Sequence, residues 1–410
     1  MTDQLVLTDF TPFDPAFAED PYPAFTALRE QSPVHHVDKL GWLVSRYDDV
    51  VAVCRDPGLW SSRSGPSSVP DSDRIKEIRQ TGYPKVDTLL TCDPPEHKRY
   101  RSLVGIAFST RRVAAIEDRI AAVADELVDR FVDAGSVELV HRFAIPLPLT
   151  IIAEQLGVPV RDLHLFKEWS DAAVLPLGGL LSEEEREACA YKYAEMQHYF
   201  AARIAERRDD PQDDMLTDMV AARLEGERPL DVPELLSICA QFLVAGNETT
   251  TKLITACAQL LCQHPDQLAA VRDDPALVPG AVEESLRMES AVQTMFRTAT
   301  RDTELAGVAI PQGGRVVLLI GAANRDPATF PDPDRFDVRR PNARFNLGFA
   351  HGEHYCIGAA LARAEATIGV RALLTRLPGL RLGAGNTFLH EPSWTHRGLK
   401  ELHLDFDVRS

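Results

Sequence analysis

The sequence lacks the features that mark a membrane-spanning, nucleic-acid-binding or disulfide-stabilised protein. No run of 18 apolar residues occurs, and the first nine residues (MTDQLVLTD) have no signal-peptide pattern. Acidic residues (61) outnumber basic ones (44), and a net charge of −17 argues against binding to nucleic-acid phosphates. The seven cysteines are scattered, in a spacing that fits neither a disulfide framework nor a zinc site. We therefore expect a cytoplasmic protein with no membrane or nucleic-acid partner.

No linker, repeat or low-complexity segment divides the chain of 410 residues, which with 45% hydrophobic content can bury a large core. We expect one domain over residues 1–410. Helical periodicity dominates from Pro94 to about Met288, and residues 300–320 predict two short strands around a turn at 311–314. The pattern therefore predicts a mainly α fold with a small β-rich region.

Cys356 lies in the most informative stretch of the chain, residues 349–358 (FAHGEHYCIG). The residues after it, 357–363, predict the start of a helix, whose dipole favours the thiolate form of a nearby cysteine. Gly352 and Gly358 let the backbone bend closely around the sulfur. Because only the thiolate is a strong metal ligand, the pattern indicates a site for a metal that accepts one sulfur. A buried structural cysteine is the alternative.

A second unusual stretch lies in the middle of a long predicted helix between residues 231 and 265. The helix is apolar on most sides and spans roughly 45 Å at 1.5 Å per residue. Near its centre it carries residues 245–250 (AGNETT). Gly246 weakens the helix at this point, and a charged Glu248 is costly to bury unless it is used. An exposed polar patch is the alternative.

The two stretches together resemble the cytochrome P450 superfamily, in its soluble, bacterial-type haem-thiolate monooxygenases. Residues 349–358 match the family's haem-binding loop, Phe-Gly-x-Gly-x-His-x-Cys-x-Gly, except that Ala350 replaces the usual Gly or Ser. Residues 245–250 match the oxygen-activation motif, Ala-Gly-x-Asp/Glu-Thr-Thr, at every fixed position. The resemblance runs from His97 to Arg397. It implies a triangular helical prism in which the long central helix passes over the haem.

Glu284 and Arg287 form a further pattern, spaced i, i+3 on a predicted helix. Alone, they would be read as an ordinary surface ion pair. The resemblance implies instead that they are structural, binding Arg335 in the proline-rich segment 330–336 and holding the cysteine loop in place.

Four basic residues match the family's haem-propionate ligands. His97 and Arg101 are spaced i, i+4 at the start of a predicted helix. The resemblance implies that this pair, together with Arg297 and His354, binds the propionates, because a buried carboxylate needs a cation beside it. Ordinary surface charge is the alternative for each of the four.

The resemblance implies a monooxygenase that holds haem b through Cys356. It would use O2 and two externally supplied electrons to hydroxylate or otherwise oxidise a mid-sized, largely apolar small molecule. Glu248 is the candidate for bringing protons in, and Thr249 for holding the reduced oxygen and its water. Ferredoxin and ferredoxin reductase are the expected electron donors. Their predicted docking face carries Lys98, Arg99, Arg111, Arg112, Arg344 and Arg363.

The resemblance also maps a substrate pocket, apolar with one or two amide groups, which suits an apolar molecule with one polar group. Its predicted residues are Gln241, Val244, Ala245, Val292, Gln293, Met295 and Trp394. Residues 56–91 and 174–181 are predicted to form a lid. Two other functions stay open: a haem-thiolate peroxygenase that uses H2O2, and a non-catalytic haem-based sensor or ligand carrier. The intact pair of Glu248 and Thr249 counts against the peroxygenase.

Overall fold

A computed structural model describes residues 14–63, 70–178 and 181–408 of the chain. Within them the α-helices are α1 (Pro15–Glu19), α2 (Tyr22–Gln31), α3 (Tyr47–Arg55), α4 (Asp73–Gln80), α5 (Glu96–Gly105), α6 (Thr110–Asp129), α7 (Pro146–Gln155), α8 (Leu163–Val174), α9 (Glu183–Asp209), α10 (Met215–Ala221), α11 (Val232–Gln263), α12 (Pro265–Asp273), α13 (Val278–Met288), α14 (Ile320–Ala323) and α15 (Ala359–Arg376). The predicted lid segments contain residues 64–69 and 179–180, which lie outside the described residues.

The strands are short, and they are β1 (Val34–Val37), β2 (Gly41–Val44), β3 (Trp60–Ser61), β4 (Ser136–Glu138), β5 (Thr294–Ala299), β6 (Thr303–Leu305), β7 (Val308–Ile310), β8 (Arg315–Leu319), β9 (Arg381–Leu382) and β10 (His403–Asp405). Single helical turns of other types cover Val140–Ala144, Val160–Asp162, Leu175–Gly178, Pro275–Leu277, Ala343–Phe345 and Gly352–His354. The prediction of a mainly α fold with a small β-rich region is confirmed.

The chain divides into two compact units. The first comprises residues 1–61, 118–147 and 249–410, and the second comprises residues 62–117 and 148–248. The expectation of one domain over residues 1–410 stays a prediction.

The first unit contains a five-stranded sheet in the order β1-β2-β8-β5-β3, in which only β2 and β8 run parallel. Successive residues of β8 enter different apolar clusters: Val316 and Leu318 pack with Trp60 and α3, whereas Val317 and Leu319 pack with α2. This alternation follows from the pleat of a strand. On the paired strand β5 it likewise separates Met295 from Phe296.

The predicted turn at residues 311–314 was only partly right. A hairpin forms between β6 and β7, and its turn lies at Ala306 and Gly307, which both have positive φ. The next strand, β8, pairs with β5 and β2 instead. Strand partners depend on the sheet as a whole, which local turn residues do not encode.

In the second unit, α9 packs against α4, α8 and α10. Ser182 begins α9 with a capping box: its hydroxyl accepts from the Glu185 amide, and the Glu185 carboxylate accepts from the Ser182 amide.

Helix α11 has 32 residues, close to the predicted bounds, and its sequence passes from the second unit into the first at Thr249. No helix within the described residues is both long and apolar enough to cross a membrane.

Candidate active site

Cys356 is the one cysteine of the seven that is partly exposed. Its amide donates to the Phe349 carbonyl over 2.9 Å, which closes the loop around the sulfur. Helix α15 follows, with Gly358 as its N-cap, so the helix begins two residues later than the pattern suggested. Burial raises the pKa of Cys239 and of Cys257 to about 12, so these thiols stay protonated. Cys356 is therefore the cysteine placed to bind a metal.

Two small residues shape the cysteine loop for different reasons. Gly352 has φ +71°, and a Cβ there would lie only 2.3 Å from the Cys54 carbonyl oxygen at the end of α3. Ala350, where the family pattern has Gly or Ser, also takes a left-handed conformation, with φ +60°. An L-residue adopts that conformation at a cost of about 1 kcal/mol. The loop thus depends on glycine at residue 352 and carries strain at residue 350.

Glu284 and Arg287 are fully buried, so the alternative of a surface ion pair is wrong. Arg287 binds both carboxylate oxygens of Glu284, over 2.7 and 2.8 Å. The third member of this group is Arg340, a second cation on the carboxylate, whose Nε lies 2.8 Å from Glu284 Oε1.

The prediction of Arg335 as that third partner is wrong. Its side chain is exposed, and the residue contributes only its carbonyl oxygen, which accepts from Arg340 over 2.8 Å and from Arg287 over 3.4 Å. Arg340 also donates to the carbonyls of Pro331 and Asp332. The proline-rich turn thus presents backbone oxygens inward, and the arginine that reaches them comes from five residues later.

Helix α13 also contacts the two ends of the cysteine loop. Glu283 accepts from Asn346 Nδ2 over 2.9 Å and from the Arg363 guanidinium on α15. A Cβ on Gly348 would lie 2.6 Å from Leu286 Cγ, so the loop backbone lies directly on α13. Neighbouring residues of one helix therefore position the segments before and after Cys356.

One face of α11 is accessible in the middle of an otherwise buried helix. Leu243, Asn247 and Thr250 are buried. Besides Gly246, the accessible residues of this stretch recur at i, i+3, i+4, i+7 and i+8 and are Gln241, Val244, Ala245, Glu248 and Thr249. This spacing aligns them along one side of the helix. The predicted pocket residues of α11 thus share a face with the predicted proton-transfer pair.

The two predicted pocket amides already have partners or lie in the core. Gln241 Oε1 accepts from the Leu90 amide over 3.2 Å, and its Nε2 donates to Thr88 Oγ1 over 2.5 Å. Gln293 is buried, and its Nε2 donates to the Ser290 carbonyl over 2.7 Å. Gln293 Oε1, however, has no hydrogen-bond partner among the described residues. The expectation that these amides offer a polar group to a substrate stays a prediction.

The remaining predicted pocket residues lie in the first unit, around the start of β5. Val292 pairs with His396, and Met295 shares a face of β5 with Arg297. Trp394 stacks edge-on against Phe296 with ring centroids 5.5 Å apart, on the opposite face from Met295. Met295 and Trp394 therefore lie on different sides of this strand.

The four predicted propionate ligands are distributed over both units. His97 and Arg101 lie one turn apart on α5 in the second unit; Arg297 on β5 and His354 in the cysteine loop belong to the first. His97 and Arg297 are buried, which excludes ordinary surface charge for these two. Within the first unit, a thiol at a tight loop and a buried guanidinium are groups that fit a metal macrocycle carrying carboxylates.

Glu365 on α15 is a residue that sequence reasoning missed. It is 1% exposed, and burial raises the pKa of its carboxyl well above the ordinary value, although a hydrogen bond with Thr250 offsets part of this shift. Its Oε1 has no hydrogen-bond partner within the described part of the chain. The available signal was a lone glutamate beside Ala366 and Gly369, on the buried side of a helix.

Three of the six predicted docking cations are neutralised by carboxylates. Arg99 lies 2.9 Å from Glu234, Arg112 pairs with Asp213, and Arg363 pairs with Glu283. These arginines add little net positive charge to a surface.

Comparisons with known proteins agree with this geometry. A family model described as Cytochrome P450 matches residues 170–378. The chain is 39% identical over 402 residues to cytochrome P450 107B1 of Saccharopolyspora erythraea, covering 96% of this chain and 97% of that protein. It is 38% identical, with the same coverage, to the 6-deoxyerythronolide B hydroxylase of that organism. The solved structure of cytochrome P450 CREJ with (4-ethylphenyl) dihydrogen phosphate superposes with a TM-score of 0.91 at 31% identity, covering 98% of this chain and 100% of that one.

Proposed function

Because the chain belongs to the cytochrome P450 family, we propose roles for its residues in the haem b-dependent monooxygenase reaction of that family. The enzyme uses O2 and two electrons to oxidise a small molecule. The hydroxylase activity named for a relative supports this reaction over the peroxygenase and sensor alternatives. Since α11 contributes residues to both units and relatives match 96% of the chain, we treat residues 1–410 as one functional domain.

The single partly exposed cysteine, held in a loop that α13 positions, carries the proposal. Cys356 holds the haem iron through its sulfur. When bound, a haem with thiolate ligation supplies the chemistry that favours O–O cleavage. Glu284, Arg287 and Arg340 fix the loop without taking part in the reaction. His97, Arg101, Arg297 and His354 bind the propionates.

Glu248 and Thr249 are the proposed proton-transfer residues. They are adjacent on the accessible face of α11, so a water molecule can reach both side chains. The Glu248 carboxylate takes up protons and passes them on, and the Thr249 hydroxyl orients the water through which they move.

The experiment compares Thr249→Ala, Glu248→Gln and Thr255→Ala. Thr249→Ala should still consume O2 and NAD(P)H but release much of the O2 as hydrogen peroxide, because delivery of the proton becomes poorly directed. Glu248→Gln should slow NAD(P)H consumption itself. Thr255 donates to the Thr251 carbonyl within the helix, so its variant should keep the parental ratio of product to NAD(P)H. A Thr249→Ala enzyme that is as well coupled as the parent would refute this assignment.

Ferredoxin and ferredoxin reductase are the proposed electron donors. Phe345 and Tyr355, 51% and 38% exposed, are aromatic residues within the same segment as Cys356. The Arg344 guanidinium lies 5.3 Å from the Phe345 ring. An exposed aromatic and cationic surface suits a small acidic redox protein. We place the enzyme in the cytoplasm, where its six buried thiols stay reduced.

The proposed substrate is a mid-sized, largely apolar molecule. One relative is named for 6-deoxyerythronolide B, and a structural neighbour was solved with (4-ethylphenyl) dihydrogen phosphate. Because Gln241 already uses its amide within the protein and Gln293 is buried, selection here depends on shape and apolar contact with Val244, Ala245 and Met295. The proposal predicts that apolar compounds without a strong hydrogen-bonding group shift the haem spin state as well as compounds that carry one.

A further inference from the structure

Lys252 is a buried lysine on the same face of α11 as the proton-transfer pair. It follows Glu248 by four residues and Thr249 by three, which places it next along that face. Its side chain is only 5% exposed, and its Nζ lies 2.7 Å from Glu391 Oε2. Lysine is rarely buried without a specific partner. This ion pair links α11 to a loop near the C-terminus, residues 389–400.

Loop 389–400 also packs against the aliphatic part of the Lys252 side chain, at Gly398. A Cβ on residue 398 would lie 2.4 Å from Lys252 Cγ and 3.0 Å from Cδ. Gly398 has no positive φ that would otherwise demand glycine. Glycine is therefore needed at residue 398 to leave room for Lys252, whose side chain crosses the loop backbone before it reaches Glu391.

Loop 389–400 is bonded to the segment proposed to line the substrate pocket. The loop folds back on itself, because the Glu391 amide donates to the Gly398 carbonyl over 3.0 Å. At its far end His396 pairs with Val292, and the Gln293 amide donates to the Thr395 carbonyl over 2.8 Å. A ligand that displaces residues 292–293 would therefore also displace the loop, because backbone hydrogen bonds join the two segments.

A second ion pair holds the same loop to a different element. Arg397 Nε lies 2.7 Å from Glu289 Oε2, just after α13, and both side chains are largely buried. Glu391, by contrast, is 46% exposed. The pair of Arg397 and Glu289 is therefore the stronger of the two, and the pair of Lys252 and Glu391 has one partner that is nearly half exposed.

We propose that Lys252 and Glu391 are positioning residues that couple the pocket-lining loop 389–400 to the turn of α11 carrying Glu248 and Thr249. The proposal rests on the proposed function of that turn. Neither residue donates a group to the reaction. The ion pair keeps the loop and the helix face in a fixed register, so that a substrate held against residues 292–293 is presented consistently to the proton-transfer residues.

The test compares Lys252→Met, Glu391→Gln and the double variant. Methionine keeps the apolar stem against Gly398 and removes the charge. Arg381→Met is the matched control, because Arg381 forms an exposed ion pair with Asp407 at 3.0 Å on a different strand. In ligand-free protein, hydrogen–deuterium exchange of the amides in residues 391–398 should become about tenfold faster in both single variants. Exchange in β6 and β7 should not change, and the control should match the parent throughout.

Two enzymatic readouts separate positioning from stability. The ratio of product to NAD(P)H should fall, and the substrate Kd from optical titration should rise, in both single variants. In the double variant no buried charge lacks its partner, so the unfolding midpoint should return towards that of the parent. The ratio of product to NAD(P)H should stay low, because the link itself is missing.

Unchanged exchange in residues 391–398 in both single variants would overturn the proposal. Recovery of coupling together with stability in the double variant would also overturn it, since the pair would then be only structural. A parent enzyme that forms no product would instead contradict the proposed function, and the exchange experiment would still decide whether the ion pair fixes the loop.

Discussion

Arg340 should be the cation that, together with Glu284 and Arg287, holds the cysteine loop in place, and Arg335 should be dispensable. The Arg340 side chain is 7% exposed and shares Glu284 with Arg287. It also donates to three backbone carbonyls, those of Pro331, Asp332 and Arg335, over 2.6 to 3.0 Å. Removal of one partner from a buried pair costs about 3–5 kcal/mol. Because Glu284 keeps Arg287, the loss of free energy of unfolding in Arg340→Met should be at the lower end of this range, near 3 kcal/mol.

Arg335→Met is the matched control for that variant. The Arg335 side chain is exposed, and its backbone carbonyl is unaffected by the substitution, so the change should stay within about 0.5 kcal/mol. The assay is equilibrium urea unfolding of the haem-loaded proteins, with haem content per chain measured in parallel. Arg340→Met should lower both quantities. Equal losses of stability and haem content in the two variants, or a larger loss in Arg335→Met, would refute the assignment of Arg340 as the residue that holds the loop.

Four other substitutions test the loop and two buried carboxylates, each by urea unfolding. Gly352→Ala should cost about 2 kcal/mol or more and lower haem content, because its Cβ would collide with the Cys54 carbonyl. Ala350→Gly should stabilise the protein by about 0.5 kcal/mol, because glycine relieves the strain of the positive φ. A Gly352→Ala protein more stable than Ala350→Gly would contradict the loop geometry. Burial raises the pKa of Glu234, but hydrogen bonds from arginines and from the backbone outweigh this and lower it from 4.5 to about 2. Its ionised form therefore stabilises the protein above pH 4.5, and Glu234→Gln should cost about 3 kcal/mol at pH 7, a difference that shrinks as the pH falls from 4.5 towards 2; a pH-independent difference would argue against an ionic role. Burial raises the pKa of Glu365 and so favours its protonated form, and Glu365→Gln should change stability by less than about 1 kcal/mol. A large loss would indicate a charged carboxylate.

The sequence predicted best those features whose cause lies within one stretch of chain. The bounds of α11 follow from its apolar length and its flanking prolines. The closed loop at Cys356 follows from its glycines and the helix behind it. Fold class followed in the same way, because helical periodicity is a local property.

Errors occurred where a long-range contact decides the direction of a side chain. The motif at residues 330–336 led to the prediction that Arg335 binds Glu284 and Arg287. Only the folded turn shows that the Arg335 side chain is exposed and that Arg340 reaches Glu284. Nor does the sequence show that residues 88–90, about 150 positions away, bind the amide of Gln241. Lys252 was overlooked because its partner follows 139 residues later. Contacts of such separation leave no periodic trace in a single sequence.

The ligation of the haem iron by Cys356 is the central claim, and the carbon monoxide spectrum of the reduced protein tests it most directly. The parent protein should show the strongly red-shifted band that is characteristic of thiolate ligation. Cys189→Ser, which alters a buried thiol on α9, should keep that band. Cys356→Ser should lose it while still taking up haem. A full red-shifted band in the Cys356→Ser protein would contradict the assignment of the ligand and the account of the active site built on it.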